Sequence, residues 1–249
     1  LTAQDFEKIR TPPAVWLVRE EIANSPGSPI WDTTSGKFGP FSGQIFVGDQ
    51  RQSNYFRCGV EKVNGEYQGW CVDFLRGLES GPVKMSFDSQ GRLWSAQVGR
   101  GWFSKGGKRT AIQYVEWDKK TTPFAIHSAN LTKTGFAVQF TERIGKKMTP
   151  KVSSWGYHYY STYGSPPVDQ QELKVSNYQL SKDRKTVTFD VPLSENKIYA
   201  ITFSEQKNTE AKLLDFDTIY YTLNQVRPPS EPRPGRNVGW TLAGSSWNR

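Results

Sequence analysis

Along the first half of the chain, short runs of alternating apolar and polar residues are cut by glycine, proline, asparagine or serine. That alternation has the period of two required by a half-buried strand. It predicts strands at 28–32, 44–49, 54–62 and 66–74, then at 83–88, 92–98 and 111–117. The turn Ser89-Gln90-Gly91 joins the first two of the second series. Four strands and then three, in groups roughly 45–50 residues apart, have the pattern of β-propeller blades, each a four-stranded meander. Beyond residue 123 the alternating runs lengthen: FAIHSANL, GFAVQFTE, ELKVSNYQL, KTVTFDV and KIYAITF, with FDTIYYTLN at 216–224 as a last strand. Turn signals at Lys182-Asp183-Arg184 and Ser194-Glu195-Asn196 separate several of them. Strands at this density predict a small β-sandwich of immunoglobulin or fibronectin type, without the Cys…Trp…Cys core of a true immunoglobulin domain.

The expected class is therefore all-β. Residues 1–12 form a lead-in closed by Pro12-Pro13, 13–118 two propeller blades, 119–226 the sandwich and 227–249 a Pro-rich tail. The boundary falls in DKKTTP, residues 118–123. Because the second group shows three strands, its fourth is expected from another segment. Two blades alone also leave open flanks carrying Trp31, Phe46 and Trp94, to be buried against missing blades or another subunit.

The only two cysteines flank Asn64-Gly65, the strongest hairpin signal, because both central residues of a type I′ turn need positive φ. With that turn Val63 opposes Glu66, and Cys58 opposes Cys71 as a non-hydrogen-bonded pair about 4.5 Å apart. That separation is at the short end of the disulfide range. A cross-strand disulfide is predicted, with two buried free thiols as the alternative. Two sulfurs and the distant His127 and His158 make no zinc pattern, so no metal site is expected.

Composition narrows the function. No 18-residue apolar run exists, which argues against a membrane span. The net charge is +8, but the basic residues are scattered, the densest group being Lys105, Lys108 and Arg109. A basic surface facing an acidic partner fits that scatter better than nucleic acid binding. No signal peptide is recognisable and residue 1 is Leu, which reads as a processed chain or a fragment.

The stretch WDTTSGKFGPFSGQIFVGDQ, then EKVNGEYQG, then GRGWFSKGGKR with IQYVEW, resembles the C-terminal part of secreted bacterial propeller proteins related to the glucose/sorbosone dehydrogenases. SSWGYHYYSTYGSPPVD and IYYTLN resemble the sandwich domain that follows the propeller in them. The resemblance covers roughly 12–225 and implies a six-bladed propeller, a secreted, periplasmic or cell-surface location, and pyrroloquinoline quinone with calcium in the complete assembly. It also implies a cytochrome partner for a sugar or alcohol dehydrogenase, this chain alone being inactive. Three departures qualify it. The blades that carry the family's catalytic base are missing, no CxxCH exists for haem c, and Gly99 stands where the relatives have asparagine.

In a blade, the loop after the second strand leaves on one face of the ring. Loops 49–54 and 99–110 then share a face with 75–82, which makes Asp49, Arg51, Arg100, Trp102, Lys105 and Arg109 candidates for cofactor or ligand binding. Their cations suit the carboxylates of a quinone or acidic sugar, with Trp102 as a stacking wall. The alternative is a solvated loop, with Trp102 plugging the gap between blades. A second candidate is the aromatic row Trp155, Tyr157 and Tyr159, either a carbohydrate platform or packing. No nucleophile pattern accompanies His158, and no catalytic residue is assigned. The alternative function is a non-catalytic extracellular binding or assembly subunit contacting glycans or proteins.

Overall fold

The computed structural model describes residues 5, 9–99, 101, 103–146, 148–158 and 164–228. Its strands are β1 Pro26–Trp31, β2 Ile45–Asp49, β3 Asn54–Val63, β4 Glu66–Arg76, β5 Pro82–Phe87, β6 Leu93–Val98 and β7 Thr110–Val115. They continue as β8 Ile126–Leu131, β9 Gly135–Phe140, β10 Lys151–Gly156, β11 Val168–Leu173, β12 Ser176–Leu180, β13 Thr186–Asp190, β14 Lys197–Thr202 and β15 Thr218–Leu223. The chain is all-β, in antiparallel sheets. Every strand expected before residue 118 is present within a few residues of its expected bounds. The run ELKVSNYQL does not form one strand; it breaks between β11 and β12, which lie in different sheets.

Among the described residues these strands form three sheets, ordered β1-β2-β3-β4-β15-β14-β10-β11, β12-β13-β9-β8 and β5-β6-β7. Residues 118–123 do separate the second and third of these. They do not separate two independent halves, because β4 pairs with β15 through Tyr220↔Cys71, Tyr221↔Trp70 and Thr222↔Gly69. One long sheet therefore draws strands from both segments.

Three apolar clusters hold these layers. Phe136, Val138, Phe189, Tyr199, Ile201 and Tyr221 fill the space between β15-β14-β10-β11 and β12-β13-β9-β8. Phe38, Phe46, Tyr55, Met85 and Leu93 join the inner face of β1–β4 to β5-β6-β7. The outer face of the long sheet is covered by the chain's own N-terminal stretch, with Val18, Ile22 and Ala23 packed on Val47, Phe56 and Ile198. Phe46 is therefore fully buried, contrary to its expected place on an open flank, while Trp31 is 47% exposed and Trp94 half-buried.

The Asn64-Gly65 turn has the expected geometry, φ 47° and 87°, and Cys58 opposes Cys71. Both are nevertheless free thiols, so the disulfide is corrected to the alternative. Each is fully enclosed under the N-terminal stretch, and Cys71 Sγ donates to the carbonyl of Trp16 at 3.7 Å. Burial pushes the Cys58 thiol up to about 12 and raises Cys71 as well, which keeps both protonated and unreactive. The expected result of a thiol titration is two equivalents after unfolding without reductant and slow reaction in the native protein; zero equivalents after unfolding contradicts it.

Arg57 lies where the first two clusters meet. It is 1% exposed, and its Nη2 donates to the carbonyl of Ile126 at 2.7 Å, while its Nη1 donates to Gln44 Oε1. Its guanidinium rests 4.0 Å from the centroid of Phe41. His127, beside it, is held at about 4, first by burial and then by the Arg57 charge. The unfolded imidazole takes a proton below about 6.5, and the folded one does so only near 4. Stability is thus lost as pH falls from 6.5 to 4, by up to about 3 kcal/mol. Burial raises the carboxyls of Glu61 and Asp73, which act in the opposite sense over acid pH. Urea midpoints at pH 7 and pH 4.5 for the wild type and His127→Asn isolate the histidine; equal pH dependence in the two contradicts the assignment.

Candidate functional site

The loops between β2 and β3, β4 and β5, and β6 and β7 meet at one end of the long sheet. Ser53 Oγ and Ser104 Oγ are 2.6 Å apart, the amide of Gly106 donates to Ser53 Oγ at 2.9 Å, and that of Lys105 donates to the carbonyl of Arg51 at 3.0 Å. Ser80 Oγ donates to the carbonyl of Lys108 at 2.7 Å, and the amide of Lys108 to that of Glu79 at 3.0 Å. A Cβ at Gly106 would lie 2.3 Å from the carbonyl oxygen of Leu78, so only glycine permits this interleaving. A Cβ at Gly99 would lie 2.6 Å from that of Lys108, so this position too is closed to a side chain.

Of the six residues expected here, four are described. Asp49 is fully buried, and its carboxylate is already filled: Oδ2 accepts from the amides of Asn24 and Ser25 at 2.6 Å each, and Oδ1 from that of Gln52 at 2.7 Å. It caps its own loop and offers nothing to a ligand, which corrects its assignment. Arg51 and Lys105 are joined by the Lys105 amide to the Arg51 carbonyl, and the Lys105 and Arg109 side chains are exposed. Arg51 lies 5.1 Å from the ring centroid of Phe103, itself 63% exposed, and its Nε is 3.8 Å from Glu20 Oε1. Lys108 pairs with Glu79 at 2.6 Å on the same rim. Arg100 and Trp102 lie outside the described residues.

The aromatic row is packing. Trp155 and Tyr157 are 6% and 9% exposed, in the cluster under the N-terminal stretch. Trp16 stacks on Tyr157 with centroids 3.9 Å apart, and Arg10 Nη1 donates to Tyr157 OH at 3.2 Å. The carbohydrate-platform assignment of Trp155 and Tyr157 is corrected, because the chain itself occupies their faces; Tyr159 lies outside the described residues.

A different aromatic surface, of which the sequence reading named Trp94 alone, lies open. On the outer face of β5-β6-β7, Trp94 and Tyr114 lie 4.7 Å apart, and Arg92 covers both rings at 5.4 and 5.1 Å. Asp88 fixes them by accepting from Trp94 Nε1 at 2.9 Å and from Arg92 Nε at 2.6 Å, and these bonds hold its carboxyl well below the usual range. Beside them Ile112 and Tyr114 are 75% and 48% exposed. Among the described strands β7 pairs only with β6, so its other edge is open. The signal was present as Trp94 and Ala96 opposite Tyr114 and Ile112, but alternation alone does not say which face is covered.

Among the described residues no three His, Cys, Asp or Glu side chains converge to hold a metal ion. The quinone and calcium of the resembled family find no matching set among the described residues. Of the carboxylates in the loops chosen for them, Asp49 has its oxygens filled and Glu79 pairs with Lys108, while Lys105 and Arg109 are exposed. No helix is long and apolar enough to cross a membrane.

No family model matches the sequence, and no curated protein matches it. Among solved structures the chain is similar to a fungal alcohol oxidase of the AA5 family, in complex with copper, at 13% identity and a TM-score of 0.23. The match covers 85% of this chain and 57% of the oxidase chain, so this chain spans less than two thirds of that protein. A TM-score of 0.23 carries no statement about fold or chemistry.

Proposed function

We propose that this chain is the C-terminal part of a larger secreted, periplasmic or cell-surface propeller assembly of the sugar or alcohol dehydrogenase kind. In this reading it contributes structure and contacts, and the reacting groups lie elsewhere. The meanders β1–β4 and β5–β7 are the two blades, joined face to face by Phe46 and Met85. The strand orders β8-β9-β13-β12 and β15-β14-β10-β11 correspond to A-B-E-D and G-F-C-C′ of an immunoglobulin-like sandwich. The observation that carries the reading is the open edge of β7 beside exposed Ile112 and Tyr114, a surface that an isolated globular protein normally covers. Missing blades of the same polypeptide, or another subunit, take that place. The quinone, its calcium and the haem of a cytochrome partner belong to those other parts.

The test is dye-linked oxidation of sugars and alcohols by the native assembly, with quinone absorbance read on the same sample. Activity and absorbance in the assembly, and neither in this chain alone, agree with the proposal. An assembly without either overturns the dehydrogenase assignment and leaves the second reading. That reading is a non-catalytic binding subunit whose rim of Arg51, Lys105 and Arg109 meets an acidic glycan or protein. It is favoured by the exposed Phe103 lying under Arg51.

A further inference from the structure

β7 presents its backbone as well as its side chains to whatever covers it. The amide of Gly99 bonds to the carbonyl of Arg109, and in the antiparallel register Gln97↔Ala111 and Ser95↔Gln113 that pairing recurs at every second residue. The amides and carbonyls of Thr110, Ile112 and Tyr114 therefore point away from β6, to an edge that no described strand occupies. The side chains of the same three residues are exposed, so one added strand would meet both.

Charge says what kind of strand fits. Residues 79–120, which hold β5, β6, β7 and their loops, contain eight Lys and Arg against four Asp and Glu. Eight less four is +4, half of the chain's net charge of +8. Two of those carboxylates are matched inside the segment, Glu79 by Lys108 and Asp88 by Arg92. Asp118 Oδ1 accepts from the amides of Lys120 and Thr121 at 2.8 Å each, and Glu116 lies in the field of Arg92. Lys84, Lys105, Arg109, Lys119 and Lys120 are exposed and enter no ion pair among the described residues. Arg109 stands immediately before β7, and Lys119 and Lys120 lie just beyond it, so both ends of the edge carry free cations.

The same arithmetic disfavours two other occupants. A second copy of this chain would bring +4 against +4, and residues 229–249 hold three Arg and one Glu. We propose that β7 is completed by an acidic segment from outside this chain, which adds a strand along Thr110, Ile112 and Tyr114. It sets apolar side chains beside Ile112 and Tyr114, and its carboxylates meet Arg109 at one end and Lys119 and Lys120 at the other. This rests on the reading above that another part of the assembly covers β7, and it names the chemistry of that part.

Two acetylated and amidated nonapeptides test it on the full chain by amide-resolved NMR: Glu-Glu-Val-Thr-Val-Thr-Val-Glu-Glu, and the same sequence with Lys for every Glu. Saturable binding of the acidic peptide is expected, at least about tenfold tighter than that of the basic one, with the difference shrinking as salt is added. The amides it protects from exchange should be those of Thr110, Ile112 and Tyr114. Lys119→Glu with Lys120→Glu should abolish the preference. Ile112→Pro deletes one edge donor and should abolish binding of both peptides. Should that variant fail to fold, as judged by circular dichroism, the charge reversal carries the test alone. Equal affinity for the two peptides, binding of neither at millimolar concentration, protection away from β7, or self-association of the chain through β7 overturns the proposal. Each of those results leaves the dehydrogenase assignment standing, and an assembly without oxidation or quinone absorbance leaves the peptide preference as it is.

Discussion

Replacing Arg57 with alanine is expected to destabilise the protein by about 3–5 kcal/mol, the largest effect of any single change at the loop end of the long sheet. Two losses add. The side chain is enclosed among Phe41, Gln44 and the start of β8, so truncation leaves a cavity. It also leaves the carbonyl of Ile126 and Gln44 Oε1 without their donor, at about 1–3 kcal/mol for each buried acceptor abandoned. Arg57→Met keeps most of the volume and isolates the second part, so a loss of about 1–3 kcal/mol is expected for it. Arg57→Lys should not restore the native value, because an ammonium cannot reproduce the planar fork that spans Gln44 and Ile126. Urea denaturation of the three variants checks this, and equal stability of Arg57→Ala and wild type refutes it.

The second large effect lies at the opposite end of β3. Glu61 Oε1 accepts from the amide of Leu131 and from Tyr221 OH, both at 2.7 Å, while Oε2 pairs with Arg227. The side chains of Glu61 and Arg227 are 14% and 6% exposed, so little water reaches the pair. Burial alone raises the Glu61 carboxyl, and the bonds from Leu131, Tyr221 and Arg227 pull it back. Glu61→Ala removes the carboxylate from a buried guanidinium, a phenol and an amide together, leaving Arg227 its bond to the Leu131 carbonyl and Tyr221 its bond from Gln68. The expected loss is again about 3–5 kcal/mol, against less for Glu61→Gln, which keeps two acceptor positions. Glu61 and Arg57 bridge from β3 to β8 in two places. Their losses should therefore appear in one shared unfolding transition rather than in separate ones. Two transitions in a melting curve, only one of them shifted by each variant, contradict this.

How far the sequence alone led follows from which forces are local. The first seven strands were legible because alternation and turn residues act within a few positions, and Asn64-Gly65 set the register down to Cys58↔Cys71. The redox state of those cysteines was not, because the cover of Trp16 and Val18 comes from 40 residues or more upstream. The pairing of β4 with β15 joins positions about 150 apart, and no local pattern encodes it. Within the candidate site, the meander pattern was enough to bring the loops of Ser53, Glu79 and Ser104 together. Asp49 misled because its partners are backbone amides, which leave no trace in side-chain spacing.

The central claim is that the β7 edge and the face carrying Ile112 and Tyr114 are covered in the native assembly. Amide hydrogen exchange of Thr110–Val115, in this chain alone and in the assembly purified from its source, tests it most directly. Alternate amides of β7 point away from β6 and lack a partner strand among the described residues, so they should exchange fast in the isolated chain. In the assembly the account predicts at least a hundredfold slowing at those positions, with the amides bonded to β6 changing much less. Equal exchange in the two samples would show that nothing pairs with this edge, and would contradict the account.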